Sequence, residues 1–497
     1  MRESGPTRLS SRIFRRPIMA DDILPFFLAN RAVRSSGTLE VRDKFKGTVA
    51  ARVALPDEAA VERAIAAAHD AQGAMRKLPA DRRRSILRDC AREIERRREA
   101  FIRLLVIESG KPLKDARLEV ERAVETFTVA ASEAVSPEGR ILDLAYAPRS
   151  RGTLGLIRRV PLGTASLITP FNFPLNLVAH KVAPAIAAGC PFLLKPSEKT
   201  PLTALLLGEI LAATGLPPGA FSVLPLPGER SGPLVTDERI RLLSFTGGQT
   251  GWDLRVRAGR KKVLLELGGN AACIVDEDQG EKLPTILPKL VSGSFAQSGQ
   301  SCISIQRILV HASLYEAVRE GLVAAARRLR MGDPGEEATD LGPLIDTAAA
   351  ERVRAWIEEA REGGARILCG DGGEGAFVPA TVLEKVPRSS RVWREEVFGP
   401  VVVLESFTTF DQALAAVNDS DYGLQAGLFT DSLRHVEQAW EELEVGGVVI
   451  GNTPNFRVDA MPYGGVKRSG VGREGLRSAV EEMTEPRLLV LHDTEKT

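Results

Sequence analysis

Thr164-Ala165-Ser166-Leu167-Ile168-Thr169-Pro170-Phe171-Asn172-Phe173-Pro174 leads through the apolar segment Asn176 to Ala188 into Phe192-Leu193-Leu194-Lys195-Pro196-Ser197-Glu198. A short apolar run, a Pro-punctuated break, a helix-length stretch and a second short run read as strand, turn, helix and strand. The same alternation continues to Asp276, with strands over Phe221 to Leu224, Leu242 to Phe245 and Val263 to Leu267 and a helix over Leu202 to Ala213. It predicts βαβ units and an open parallel sheet. Ligands bind such sheets in the crevice at the carboxyl ends of the strands. Polar residues gather there in this chain: Thr169 to Pro174 after one strand, Lys195-Pro196-Ser197-Glu198 after the next, then Phe245-Thr246-Gly247-Gly248 and Glu266-Leu267-Gly268-Gly269.

Upstream, Asp57 to about Val135 has a helical pattern, with Ile86, Cys90 and Ile94 at four-residue intervals and Phe101, Leu104 and Leu105 continuing the apolar face. Asp81 and Arg82 to Arg84 open one of these helices, and Arg96 to Arg98 read as a solvated face. After Pro148, Thr153 to Val160 and Thr164 to Thr169 flank Pro161-Leu162-Gly163, which fits a hairpin or a protruding strand pair. From Glu281 a second alternating region predicts a second α/β domain, with strands Ile308 to His311, Val401 to Phe407 and Gly427 to Thr430 and helices Leu314 to Arg330 and Ala348 to Glu362.

The 497 residues are 44% hydrophobic and 26% charged with a net charge of +1, the balance of a globular protein with no global attraction to nucleic acid or an anionic membrane. The longest nearly uncharged stretch, Val182 to Leu194, falls short of the ~18 residues that span a bilayer. Five cysteines and five histidines are scattered without metal-site or disulfide spacing, which suits a reducing, cytoplasmic compartment and predicts free thiols and no metal. Arg2, Arg8, Arg12, Arg15 and Arg16 resemble a targeting segment, but Met19-Ala20-Asp21-Asp22 is a plausible start, so an upstream extension or disordered tail is the better reading.

Two segments about three dozen residues apart carry chemistry. Gly299-Gln300-Ser301-Cys302 sets a thiol in a small-residue turn, and Glu266 stands at the end of an apolar run. Such a thiol can attack a carbonyl, and a carboxylate can activate the water that releases a thioester. A buried structural cysteine is the bland alternative. Asn172 can donate to an oxyanion or be a turn residue, and Lys195 with Glu198 can bind ribose hydroxyls or be loop charges. Gly247 and Gly251 let a backbone approach a pyrophosphate.

The ordered set Pro170-Phe171-Asn172-Phe173-Pro174, Lys195-Pro196-Ser197-Glu198, Phe245-Thr246-Gly247, Glu266-Leu267-Gly268-Gly269, Gly299-Gln300-Ser301-Cys302, Glu396-Val397-Phe398-Gly399-Pro400 and Pro462-Tyr463-Gly464-Gly465-Val466-Lys467-Arg468-Ser469-Gly470 resembles the aldehyde dehydrogenase superfamily from about Arg31 onward. The resemblance implies a Rossmann-like NAD-binding domain (31–145 and 162–270), an α/β catalytic domain (271–474) and a small β oligomerisation arm (146–161 and 475–497), after a disordered extension (1–30). Within the arm, Thr153 to Val160 and Arg487 to Leu491 match its strands, and a homodimer or homotetramer is implied. Cys302 would be the nucleophile, Glu266 the general base and Asn172 an oxyanion donor with the Cys302 amide. Lys195 and Glu198 would contact the adenosine ribose, Glu396 and Phe398 the nicotinamide ribose, and Gly228 and Gly232 would lie near the adenine. By the same resemblance Thr169, Pro170, Phe171, Ser197, Phe245, Thr246, Gly247 and Leu267 would complete the cofactor residues, and Phe173, Ser301 and Arg457 would face the substrate. The reaction implied is NAD-dependent oxidation of an aldehyde to an acid through a thioester; a CoA-acylating enzyme and a non-catalytic protein of this fold are the alternatives.

The chain departs from the family pattern at Phe245-Thr246-Gly247-Gly248-Gln249-Thr250-Gly251-Trp252, which is one residue short and lacks the usual serine, leaving backbone amides for the pyrophosphate. Glu198 favours NAD, since a carboxylate repels the extra phosphate of NADP, though one that turns away admits NADP. Phe456-Arg457-Val458-Asp459 looks like the lactaldehyde, phosphonoacetaldehyde and non-phosphorylating glyceraldehyde-3-phosphate branch. There an arginine anchors anionic substrates. Ser301, standing where phosphate-binding members often carry Arg, places a small polar or aliphatic aldehyde slightly ahead of a phosphorylated one, with Arg457 either such an anchor or merely the partner of Asp459.

Overall fold

The computed structural model describes residues 22–136 and 139–493. Thr164–Ile168, Asn176–Ala188 and Phe192–Lys195 form the expected strand, helix and strand, and the strands pair in parallel with Ala165 opposite Phe192. Ile240–Thr246 and Lys262–Glu266 extend the sheet on one side and Phe221–Val223 on the other, all in parallel. Asn176–Ala188 is buried along its whole length. It packs between this sheet and Leu113–Glu133, a position that leaves no face for water and needs no polar stripe.

The edges of this eight-stranded sheet are antiparallel. On one side Gly470–Val471 returns beside Leu265 and Glu266. On the other, Phe26–Leu28 pairs with Phe221–Val223, and Arg31–Val33 lies beyond it. Residues 22–30 are therefore not a disordered extension. Phe26 and Phe27 are each 1% exposed, and burying two such rings is worth roughly 3–6 kcal/mol, enough to hold a short edge strand in place. Residues 1–21, including the basic segment and Met19, lie outside the described residues.

The second sheet has seven strands in the order Arg366–Cys369, Thr381–Glu384, Val401–Phe407, Ile305–His311, Ala271–Val275, Gln425–Phe429 and Gly447–Ile450. All neighbours are parallel except the first pair. Ala271–Val275 follows Glu266 after four residues, so one strand end of the first sheet feeds directly into the second.

The Pro161-Leu162-Gly163 break does not turn a hairpin. Thr153–Pro161 pairs antiparallel with Gly139–Asp143 and Thr484–His492 in a separate three-stranded sheet, while the wholly buried Thr164–Ile168 enters the large one. An apolar strand buried on both faces belongs in a core, and the half-exposed one does not. Ile141 and Leu488 to Leu491 are exposed on the small sheet. All five cysteines are free thiols. Among the described residues no helix is long and apolar enough to cross a membrane, and no group of three His, Cys, Asp or Glu could hold a metal ion.

Candidate active site

Cys302 follows the turn Ala296–Gly299, in which Gln297 and Ser298 adopt φ of +51° and +55°. Non-glycine residues hold such angles only where their surroundings fix them. Here Gln297 N donates to Asp115 Oδ2 at 2.9 Å, Ser298 Oγ to Gly342 O at 2.8 Å, and Lys111 Nζ to Gln297 Oε1 at 3.1 Å. Lys111 is 1% exposed and ion-paired with Glu119. It also donates to Asn172 O at 3.0 Å, while Glu119 Oε1 accepts from Leu175 N and Asn176 N at 2.9 and 3.0 Å. One buried pair thus fixes both the Asn172 turn and the Cys302 turn.

Tight backbone contacts bring the other motifs in. A side chain on Gly269 would overlap the Cys302 carbonyl, and one on Gly299 would overlap the Gly399 carbonyl. Gly269 N donates to Glu396 Oε1 at 3.1 Å, and the Phe171 and Phe398 rings meet edge to face at 5.8 Å. The result is a cavity of about 330 Å³ lined by Cys302, Glu266 and Asn172. Of the sequence-derived cofactor and substrate residues, Pro170, Phe171, Phe173, Thr246, Gly247, Leu267, Ser301, Glu396, Phe398 and Arg457 share that lining. Thr169, Lys195, Ser197, Glu198, Gly228, Gly232 and Phe245 lie outside it. Thr169, Lys195 and Phe245 sit at the ends of neighbouring strands, whereas Gly228 and Gly232 occupy the short helices Gly228–Arg230 and Gly232–Thr236. The Phe245 ring packs over Gly247 and Gly251, which leave room for it.

Charge in the cavity is set by burial. Cys302 Sγ lies 3.3 Å from Tyr463 Oη, and burial pushes the thiol up to about 12. Burial, reinforced by the negative charge of Glu474, holds Glu266 well above the usual carboxylate range, and its Oε2 has no hydrogen-bond partner. Glu474, against the pull of burial, is held down to about 2 by Lys181 Nζ at 2.9 Å and Arg457 at 3.2 Å. Burial raises Glu396 to about 7. Asn172 Nδ2 donates to Gln300 O at 3.0 Å. An amide nitrogen carries two hydrogens, so one donor remains for a ligand.

Arg457 is not the partner of Asp459. Its guanidinium bonds Glu474 and lies 3.7 Å above the Tyr463 ring, because Asp459 is already taken by His180 Nε2 at 2.8 Å, Thr126 Oγ1 at 2.6 Å and Arg122 at 3.3 Å. Gly247 N is likewise engaged, donating to Glu266 O at 3.0 Å, so the shortened turn offers a pyrophosphate one amide fewer. Glu474, Lys181 and the hydroxyl of Tyr463 are site residues the sequence reading missed. The signal for one was present: His180-Lys181 interrupts an otherwise apolar helix, and a buried charge requires a partner.

Residues 32–489 match the model of the aldehyde dehydrogenase family. The chain is 44% identical over 455 residues to aspartate-semialdehyde dehydrogenase 1 of Pseudomonas canavaninivorans, covering 91% of this chain and 96% of that one. Aldehyde dehydrogenase 21 from Physcomitrella patens, solved in complex with the reaction product succinate, superposes with a TM-score of 0.94 at 45% identity over 95% of this chain and 99% of that one. A glyceraldehyde-3-phosphate dehydrogenase from Methanocaldococcus jannaschii complexed with NADP gives 0.88 at 35% identity over 92% and 100%.

Proposed function

The chain belongs to the aldehyde dehydrogenase family of NAD(P)-dependent oxidoreductases, and we propose that it oxidises a small aldehyde bearing an anionic group to the carboxylic acid through a thioester on Cys302. The observation that carries this reading is the single cavity shared by a thiol, an unpartnered buried carboxylate oxygen and a side-chain amide with a donor to spare.

The residues present fit a nicotinamide dinucleotide. Thr169 and Thr246 hold buried hydroxyl oxygens without partners, and Glu396 spends one oxygen on Gly269 N. Lys195 Nζ bonds Glu198 Oε2 at 3.2 Å at the adjacent strand end. Lys195, Ser197 and Glu198 would hold the adenosine ribose, Gly228 and Gly232 would border the adenine, and Glu396 with Phe398 would hold the second ribose. Glu198 favours NAD over NADP by charge, and a higher kcat/KM with NADP would overturn that preference. When bound, the nicotinamide ring supplies the acceptor for the hydride that leaves the substrate carbon.

The protein's part is proton movement and charge placement. Cys302 gives up its proton to solvent, and its Sγ forms a bond to the carbonyl carbon as the C=O π electrons pass to the oxygen, leaving Glu266 free to act later as the base. The oxyanion so formed accepts hydrogen bonds from the free Asn172 N–H and the Cys302 amide. After oxidation leaves a thioester, Glu266 takes a proton from water as that water adds, and cleavage of the C–S bond frees the acid. Arg122 and Arg457, both lining the cavity, suit an anionic tail. Two relatives support such a tail, one named for aspartate semialdehyde and one solved with succinate.

The exposed strand Thr484–His492 ends a sheet with Leu488 to Leu491 uncovered, which supports assembly with further copies of the chain. Light scattering that shows only monomers would remove that part. The central test is Cys302→Ala: NADH formation from a panel of carboxylated aldehydes should vanish, and activity that persists sinks the mechanism. Product analysis with added CoA separates hydrolysis from acyl transfer.

A further inference from the structure

We propose that Tyr463 is a catalytic residue whose hydroxyl donates a hydrogen bond to the Cys302 sulfur and stabilises the thiolate. This rests on the reading of Cys302 as the nucleophile. Tyr463 is 3% exposed, and a buried phenol hydroxyl needs a partner. Its Oη lies 3.3 Å from Cys302 Sγ. Packing alone does not require that oxygen. The ring sits with Ile303 and Leu424 in an apolar cluster against Cys302, where phenylalanine would fill the same space.

The ring is clamped from two directions by one residue. Tyr463 N donates to Glu474 O at 2.9 Å, an isolated bridge far along the chain from the nucleophile. The Glu474 carboxylate also holds Arg457, whose guanidinium lies 3.7 Å above the Tyr463 ring. A cation over the face withdraws electron density from the phenol and strengthens its O–H as a donor. Burial keeps Tyr463 in its neutral form, so the proton stays on oxygen and is available to donate. A hydrogen bond made to the charged form of a group favours that form. The bond therefore lowers the free energy of the thiolate more than that of the thiol.

The other charges facing Cys302 do not supply this. Glu266 and Glu396 oppose a second negative charge, and Arg457 favours one. Lys181, behind them, is spent on Glu474 and Ser244. Tyr463 is thus the neutral donor in contact with the sulfur.

The test uses Tyr463→Phe in the full-length chain, with Cys302 alkylation by iodoacetamide followed by mass spectrometry across pH, in the absence of cofactor and aldehyde. The expected result is a profile displaced to higher pH by about one unit, hence an alkylation rate lower by about tenfold at any pH below the thiol's, with the melting temperature unchanged. An alkylation profile equal to that of the parent overturns the proposal. So does a variant that melts earlier but alkylates on the parent profile, since that outcome makes the hydroxyl structural. The readout is independent of turnover, so failure of Tyr463 here is distinct from failure of Cys302→Ala to abolish oxidation.

Discussion

Replacing Gly269 by alanine should displace Cys302, the proposed nucleophile, without touching any of the proposed catalytic side chains. A methyl group at that position would overlap the carbonyl oxygen of Cys302, well inside the 3.0 Å that Cβ contacts observe. The obstacle is backbone, so it cannot rotate away. Gly269 cannot retreat freely either, because its N–H is tied to Glu396 Oε1 and the next residue, Asn270, donates to Trp393 O at 2.6 Å. Relief requires Cys302 to move by on the order of 1 Å, a misplacement that costs about 10²-fold in rate, or roughly 2.7 kcal/mol of transition-state stabilisation. The assay is kcat/KM for a carboxylated aldehyde under saturating NAD, beside the melting temperature. Gly73→Ala is the control: nothing lies within 4 Å of its added methyl, and it sits in the helix Gln72–Lys77, so it should keep full activity and gain up to about 1 kcal/mol of stability. A Gly269→Ala enzyme within threefold of the parent would refute the reasoning that this turn positions Cys302 for reaction.

Glu266→Gln should leave acylation and remove the base that activates water; a burst of NADH equal to the enzyme concentration would be followed by a steady rate lower by about 10²–10⁴, and stopped-flow absorbance detects it. Burial sets Glu396 to about 7; its carboxylate is ionised above that pH and protonated below, so KM for NAD should rise as pH falls through 7, and Glu396→Gln should flatten the dependence. Lys111→Met would strand the fully buried Glu119, destabilising the protein by about 3–5 kcal/mol in denaturant titration, and adding Glu119→Leu should recover part of the loss.

Strands and helices of the first sheet were legible because their signal is local. Thr164–Ile168 and Phe192–Lys195 are short apolar runs between breakers, and they lie within a residue of where the sequence places them. The N-terminal edge was not legible: Phe26–Leu28 is too short to have a period, and its stability comes from Phe221–Val223, nearly two hundred residues away. For Thr153–Pro161 the local pattern left a hairpin open through adjacency to Thr164; its pairing with Thr484–His492 was foreshadowed only by the family resemblance, which set Thr153 to Val160 and Arg487 to Leu491 in one arm.

By itself the sequence determined the α/β alternation and the strand-end motifs and pointed to Cys302, Glu266 and Asn172 as candidate reactive groups, because periodicity and motif order are properties of the covalent chain. Only the tertiary structure decided how those groups are charged. Lys181 reaches Glu474 across 293 positions, Glu474 in turn aligns Arg457 and Tyr463, and that alignment brings a phenol to the Cys302 sulfur. Electrostatic environment depends on distance and burial in space, and neither is written along the chain.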